Sequence, residues 1–147
     1  MDLSKILSIS GKPGLYKVIS QAKNAVIVES LIDQKRFPAF GHEKISSLEE
    51  ISVFSSDEDL PLKEVLKKIH NHSQGKESVD PKSEPALLQE FFREAVPEYD
   101  QERVYPSDIR KILTWYNLLL KHDLLDFKED EKEEEEKSSE EKEVKEG

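Results

Sequence analysis

The stretch GLYKVISQAKNAVIVESLID, residues 14–33, limits what this chain can become more than any other. It reads as two strands about a turn near residues 21–24, with Asn24 the natural left-handed residue. A hairpin with one wet face alternates apolar and polar side chains. This one does not. Tyr16, Val18, Val26, Val28 and Ile32 point one way, and Leu15, Ile19, Ala25, Ile27 and Leu31 point the other. Both faces need a cover, and the remainder of the chain has to supply it.

More strands follow. KRFPAFGHEKI (35–45) carries aromatics at 37 and 40, and Pro38 gives up a ladder donor, which points to an edge or a bulge. SSLEEISVFSS (46–56) supplies a turn and a short strand, Ile51 to Phe54. Short strands closely spaced by turns fit a small, strongly bent antiparallel sheet or partly closed barrel. DEDLPLKEVLKKIHNH (57–72) then places Leu62, Val65, Leu66 and Ile69 on one helical stripe, with Pro61 in the first turn. A single apolar stripe needs an apolar surface to lie on, and the two-sided strands offer one.

HSQGKESVDPKSEP (72–85) is polar and broken by Gly75, Pro81 and Pro85, so it reads as a linker. Beyond it, Ser83 is the expected N-cap of a helix whose face is Leu87, Leu88, Phe91, Phe92 and Ala95, ended by Pro97. In VYPSDIRKILTWYNLLLKHDLLDF (104–127), Ile109, Ile112, Leu113, Tyr116, Leu119, Leu120 and Leu124 fall within an arc of about 140°. Trp115 lies on one flank of that arc and Leu118 opposite Ile109. Apolar residues there mark either a partner surface or a covered one.

Charge separates the end of the chain from its body. Residues 128–147 hold 11 acidic and 5 basic side chains, −6 of the net −10, and Val144 is their one large apolar residue. Such a segment buries too little to offset its ordering entropy and is expected to be disordered and solubilising. There is no cysteine, which excludes disulfides, thiol catalysis and cysteine-based zinc sites. No apolar run approaches the roughly 20 residues that span a bilayer, and the N-terminus lacks a secretory pattern. The expected setting is the cytoplasm, away from membranes.

Catalytic chemistry finds little footing in the residue pattern. His70 and His72 are two apart, at a helix end, and lack the further ligands a metal needs, so no metal site is assigned. Glu29, inside VIVESLI, is the carboxylate most enclosed by apolar neighbours, and a strand-rim position explains it. P-loop, dinucleotide and nucleophile-elbow signatures are absent. No cofactor and no small-molecule substrate is implied. The most suggestive binding segment is KRFPAFGH: Lys35 and Arg36 suit phosphates, while Phe37, Phe40 and His42 suit stacking on unpaired bases. Phe37 and Phe40 equally suit a core. Trp115 and Leu118 are the candidate contacts for a protein partner.

LSISGKPGLYKVI, VIVESLIDQKRFPAF, SSLEEISVF and VYPSDIRKILTWYNLL, in this order and spacing, resemble a family of small Bacteroidetes proteins catalogued as a domain of unknown function. The likeness spans about residues 3–125 and implies an N-terminal SH3-like barrel with a C-terminal helical part, and no activity. The chain is thus expected to be α+β: an SH3-like β unit with its packing helix (1–72), a linker (73–83), a helical hairpin (84–127) and an acidic tail (128–147). The functional expectation is a non-catalytic adaptor acting through protein–protein interaction. An RNA- or ribosome-associated factor is the alternative, and an enzyme with a site between the halves comes third.

Overall fold

The computed structural model describes residues 3–41, 44–125 and 127; His42 and the acidic segment 128–147 lie outside them. Five strands come first: β1 (Ile6–Ile9), β2 (Tyr16–Ala22), β3 (Ala25–Ser30), β4 (Arg36–Phe40) and β5 (Ile45–Ser47). They pair antiparallel in the order β4-β3-β2-β1-β5. A 3-10 turn, Leu48–Glu50, leads to a two-stranded ribbon of β6 (Ser52–Val53) and β7 (Leu60–Pro61). Three helices complete the chain: α1 (Leu62–His72), α2 (Pro85–Ala95) and α3 (Pro106–Lys121). The class is α+β. The expected barrel does not close, because β4 and β5 remain the two ends of an open sheet.

The hairpin of β2 and β3 forms in the register Lys17↔Glu29 and Val18↔Val28. Its tip is tighter than the sequence suggests, since Ala22 already pairs with Ala25 and only Lys23 and Asn24 make the turn. Asn24 is not left-handed: the described non-glycine residues with positive φ are Gln34, Gln74 and Asp123. The register shifts between Val18 and Ser20, so Ile19 is an extra residue, and such a bulge raises the local twist.

The two apolar faces are covered by different means. One face gathers Leu7, Ile9, Tyr16, Val28 and Ala39, flanked by Val18, Val26, Phe37 and Ile45. Every described member of that cluster is a strand residue, yet Val28 is wholly buried. The sheet therefore bends around this face and seals it with its own strands. The opposite face is roofed by helices at one end only. Leu3, Ile6, Leu15, Leu31 and Leu48 join one continuous core with the buried stripes of α1, α2 and α3. Toward the hairpin tip, Ile19, Ala25 and Ile27 stay half-buried. Ile32 leaves its expected face and is 54% exposed. It lies over Gly14, where a Cβ would come within 2.5 Å of the Ile32 Cδ1 atom.

Helix α1 buries Leu62, Val65, Leu66 and Ile69, the stripe expected, with Pro61 at the N-cap. Helix α2 starts one residue later than expected, with Glu84 in place of Ser83 at the N-cap, and buries Leu88, Phe92 and Ala95. Leu87 turns to solvent. In α3 the Asp108 carboxylate accepts the Tyr105 main-chain N–H at 3.0 Å and fixes the helix start. Residues 73–83 lie along α3: the Ser78 N–H donates to Asn117 Oδ1 at 2.9 Å, and Arg110 Nε donates to the Pro81 carbonyl at 2.9 Å.

Candidate functional site

Strand alternation divides the KRFPAFGH segment. Arg36, Pro38 and Phe40 face one side of β4, and Phe37 and Ala39 the other, because β4 pairs residue by residue with β3. Phe37 packs edge-on against Tyr16 at 5.4 Å between ring centres, in the cluster sealed by the sheet, with the Lys12 ammonium 4.3 Å from its ring centre. Phe40 is 44% exposed on the opposite side. The two rings cannot offer a ligand one stacking surface. Arg36 Nε donates to Glu29 Oε1 at 3.1 Å, which accounts for that carboxylate on the strand rim. Lys35 is exposed in the turn before β4, where its N–H donates to Asp33 Oδ1.

Trp115 and Leu118 are also parted. Leu118 is half-buried against the main core and lies beneath Gly14. Trp115 is only 6% exposed, so it is not the surface residue that its flank position on the helix allows. It joins the main core, and a groove of about 260 Å³ that it helps line runs between the extended segment after the 3-10 turn and α3. Val53, Val104, Ile112 and Trp115 line the groove with side chains that are otherwise buried. Its rim carries Phe54, Arg103, Asp108 and Lys111.

Arg103 is fixed in place. Its Nε donates to Asp100 Oδ2 at 2.7 Å, its Nη2 donates to the Ser55 carbonyl at 3.2 Å, and its guanidinium lies 4.5 Å from the Phe54 ring centre. The same hydrogen bond from Arg103 holds the Asp100 carboxyl below its ordinary pKa. A hydrogen bond from Lys68 likewise lowers the pKa of Glu98. Lys111 is arranged differently: its ammonium lies 5.8 Å from the Trp115 ring centre.

The strand beside the groove is unevenly satisfied. The Leu62 N–H donates to the Ile51 carbonyl at 2.9 Å, which makes Ser52↔Pro61 a pair of the non-hydrogen-bonded kind. Val53 therefore directs its main-chain groups at β7, while Ser52 and Phe54 direct theirs the other way. On that outer edge the Asp100 N–H reaches the Phe54 carbonyl at 2.9 Å, and the Ser56 N–H reaches the Glu98 carbonyl at 2.8 Å. Past Phe54 the pairing ends. Among the described residues, the Ser52 N–H and C=O and the Phe54 N–H carry no hydrogen bond. The short strand expected at Ile51–Phe54 forms over Ser52–Val53, but sequence reasoning missed Ser52, Arg103 and Lys111 as site residues, since unpaired main-chain groups and a loop arginine leave no periodic trace.

His70 and His72 separate as well. His70 packs on Phe127 at 5.3 Å between ring centres; His72 packs on Phe91 at 5.3 Å and has Nε2 3.6 Å from Glu94 Oε2.

Two family models match the chain. A domain of unknown function, DUF5606, matches residues 3–48, and a second, DUF6852, matches residues 51–119. The chain is also similar to a protein from Bacteroides vulgatus solved by solution NMR. The two are 41% identical over 86% of this chain and 91% of that one, with a TM-score of 0.71. The chain belongs to this Bacteroidetes family of unknown function. No curated protein matches it. The two family segments are separated at the 3-10 turn: the first ends at Leu48, just after β5, and the second holds the groove, α1, α2 and α3 up to Leu119.

Proposed function

We propose that this protein is a non-catalytic binding module, an adaptor that holds a protein partner in the groove between Ser52–Phe54 and α3. The observation that carries the reading is the groove lining, where Trp115, 6% exposed, lies with Val104 and Ile112. A buried tryptophan at the base of a recess, rimmed by an aromatic ring and charged side chains, has the make-up of a protein-binding hot spot. Kinship with SH3-like folds belongs to the same proposal; it draws on the strand order, in which β5 returns beside β1 after four strands joined in sequence. A cytoplasmic setting suits a chain without cysteine.

RNA binding is the second reading, and the exposure of Lys35 and Arg36 at the start of β4 and of Phe40 at its end favours it. Of the two rings Phe40 is the exposed one, while Phe37 packs against Tyr16. Affinity capture from the native cell, repeated with Phe54→Ala and with Lys35→Ala/Arg36→Ala, separates the two. A protein retained at raised salt and lost with Phe54→Ala supports the adaptor. Crosslinked RNA lost at raised salt and with the double substitution overturns it in favour of RNA.

A further inference from the structure

The groove has two properties that specify an occupant beyond apolar bulk. Its side wall is a strand edge with unused donors and an acceptor, at Ser52 and Phe54. Unpaired main-chain groups at a strand edge are a template for one more strand. Its other wall carries Lys111, which has no carboxylate partner among the described residues, whereas Arg103 is neutralised by Asp100. Asp108, the remaining charge on the rim, is tied to the Tyr105 N–H.

We infer that the groove takes an extended segment of a partner protein, which adds as a strand to the outer edge of β6 and presents an apolar side chain to Trp115 and a carboxylate to Lys111. In an extended segment, alternate residues share a face about 7 Å apart. Trp115 and Lys111 are one helical turn apart, about 6 Å along α3. The matching segment therefore carries an apolar and an acidic residue two positions apart. The partner is a protein with an exposed, extended, acidic stretch. This inference rests on the adaptor reading and goes further by naming the partner's chemistry and its mode of pairing.

The full-length protein provides its own reporter, because Trp115 is the chain's single tryptophan. The probes are an acetylated pentapeptide amide, threonine-leucine-threonine-glutamate-threonine, and its counterpart with lysine in place of glutamate. The glutamate peptide is expected to shift Trp115 emission and to bind at least about fivefold more tightly than the lysine peptide, a modest charge-pair effect. Lys111→Glu should invert that preference. Ser52→Pro removes one edge N–H, and Ile51 before it already has the extended backbone that a residue preceding proline adopts (φ −88, ψ 134). It should weaken both peptides about tenfold, the loss of one main-chain hydrogen bond, without lowering the thermal midpoint.

Equal binding of the two peptides, or undiminished binding to a folded Ser52→Pro protein, overturns the inference. In either case a shifted Trp115 emission still locates a ligand in the groove, and the adaptor reading stands. Silence from Trp115 with both peptides also overturns the inference, and the Phe54→Ala capture result then decides the adaptor reading separately.

Discussion

Tyr116 donates its hydroxyl to the main-chain carbonyl of Lys76 at 2.6 Å, tying the long connection after α1 to the middle of α3. The ring is wholly buried, while Lys76 itself is exposed. Asn117, next in the chain, adds two hydrogen bonds to Ser78. A polar, proline-broken segment is thereby held against the helical core by groups that α3 projects. Tyr116→Phe keeps the ring and removes only the hydroxyl, so it should lower stability by about 1 kcal/mol. Urea unfolding with an unchanged slope would show that the connection is held by this bond; no change in the midpoint would show that it is not.

Gly14 and Gly11 both have positive φ, +80 and +83, but different surroundings. A Cβ on Gly11 meets nothing within 4 Å, whereas one on Gly14 meets the Ile32 side chain. Gly11→Ala should therefore cost only the left-handed backbone, about 1 kcal/mol. Gly14→Ala should cost more. Adding Ile32→Ala relieves the contact and leaves the backbone strain, so the double variant should return to the Gly11→Ala level. Full recovery to wild type in thermal melts would contradict this division.

Periodicity made much of the architecture legible before any coordinates. The α1 stripe stands out because its four buried residues obey one helical spacing, and the two-sided hairpin announces that both its faces are covered. Periodicity could not say how they are covered. Val28 is sealed by the bend of its own sheet, and bending arises from the pairing of distant strands and from the bulge at Ile19. The site was less legible. Phe37 and Phe40 are close in sequence, yet a strand sends residues three apart to opposite faces. Trp115 lies off the apolar arc of α3, yet it joins the main core and shares the groove with a segment about 60 residues earlier that lies outside any helical pattern. Arg103 becomes a wall of the groove through Asp100 and Ser55, contacts that no spacing encodes.

Burial raises the pKa values of Tyr16, Tyr99 and Tyr116 above that of a free phenol. In each, loss of water around the ring outweighs every other influence, and the charged phenolate is disfavoured. A group whose folded pKa is raised binds its proton more tightly in the native state. Its contribution is complete below the unfolded pKa, about 10, and is lost as pH rises through the folded value. Stability should hold to about pH 10 and then fall. Tyrosinate absorbance should rise later in the folded protein than in urea; coincident titration curves would refute the burial argument.

Pro38 guards the outer edge of β4. The Ser30 N–H donates to the Lys35 carbonyl at 2.9 Å, so Glu29↔Arg36 is a non-hydrogen-bonded pair, and Ile27↔Pro38 two residues on is another. The nitrogen of Pro38 therefore faces away from β3, and the ladder loses no donor to it. On the outer side Pro38 offers no N–H to follow that of Arg36. An exposed edge interrupted in this way resists pairing with a second chain. Pro38→Val restores the donor with a strong strand former, and the native pairing to β3 should survive. The variant should remain folded by circular dichroism and associate with rising concentration in size-exclusion chromatography, where the wild type does not shift. If the variant elutes as the wild type does at every concentration, Pro38 is not what keeps this edge unpaired, and the bend of the sheet must protect it instead.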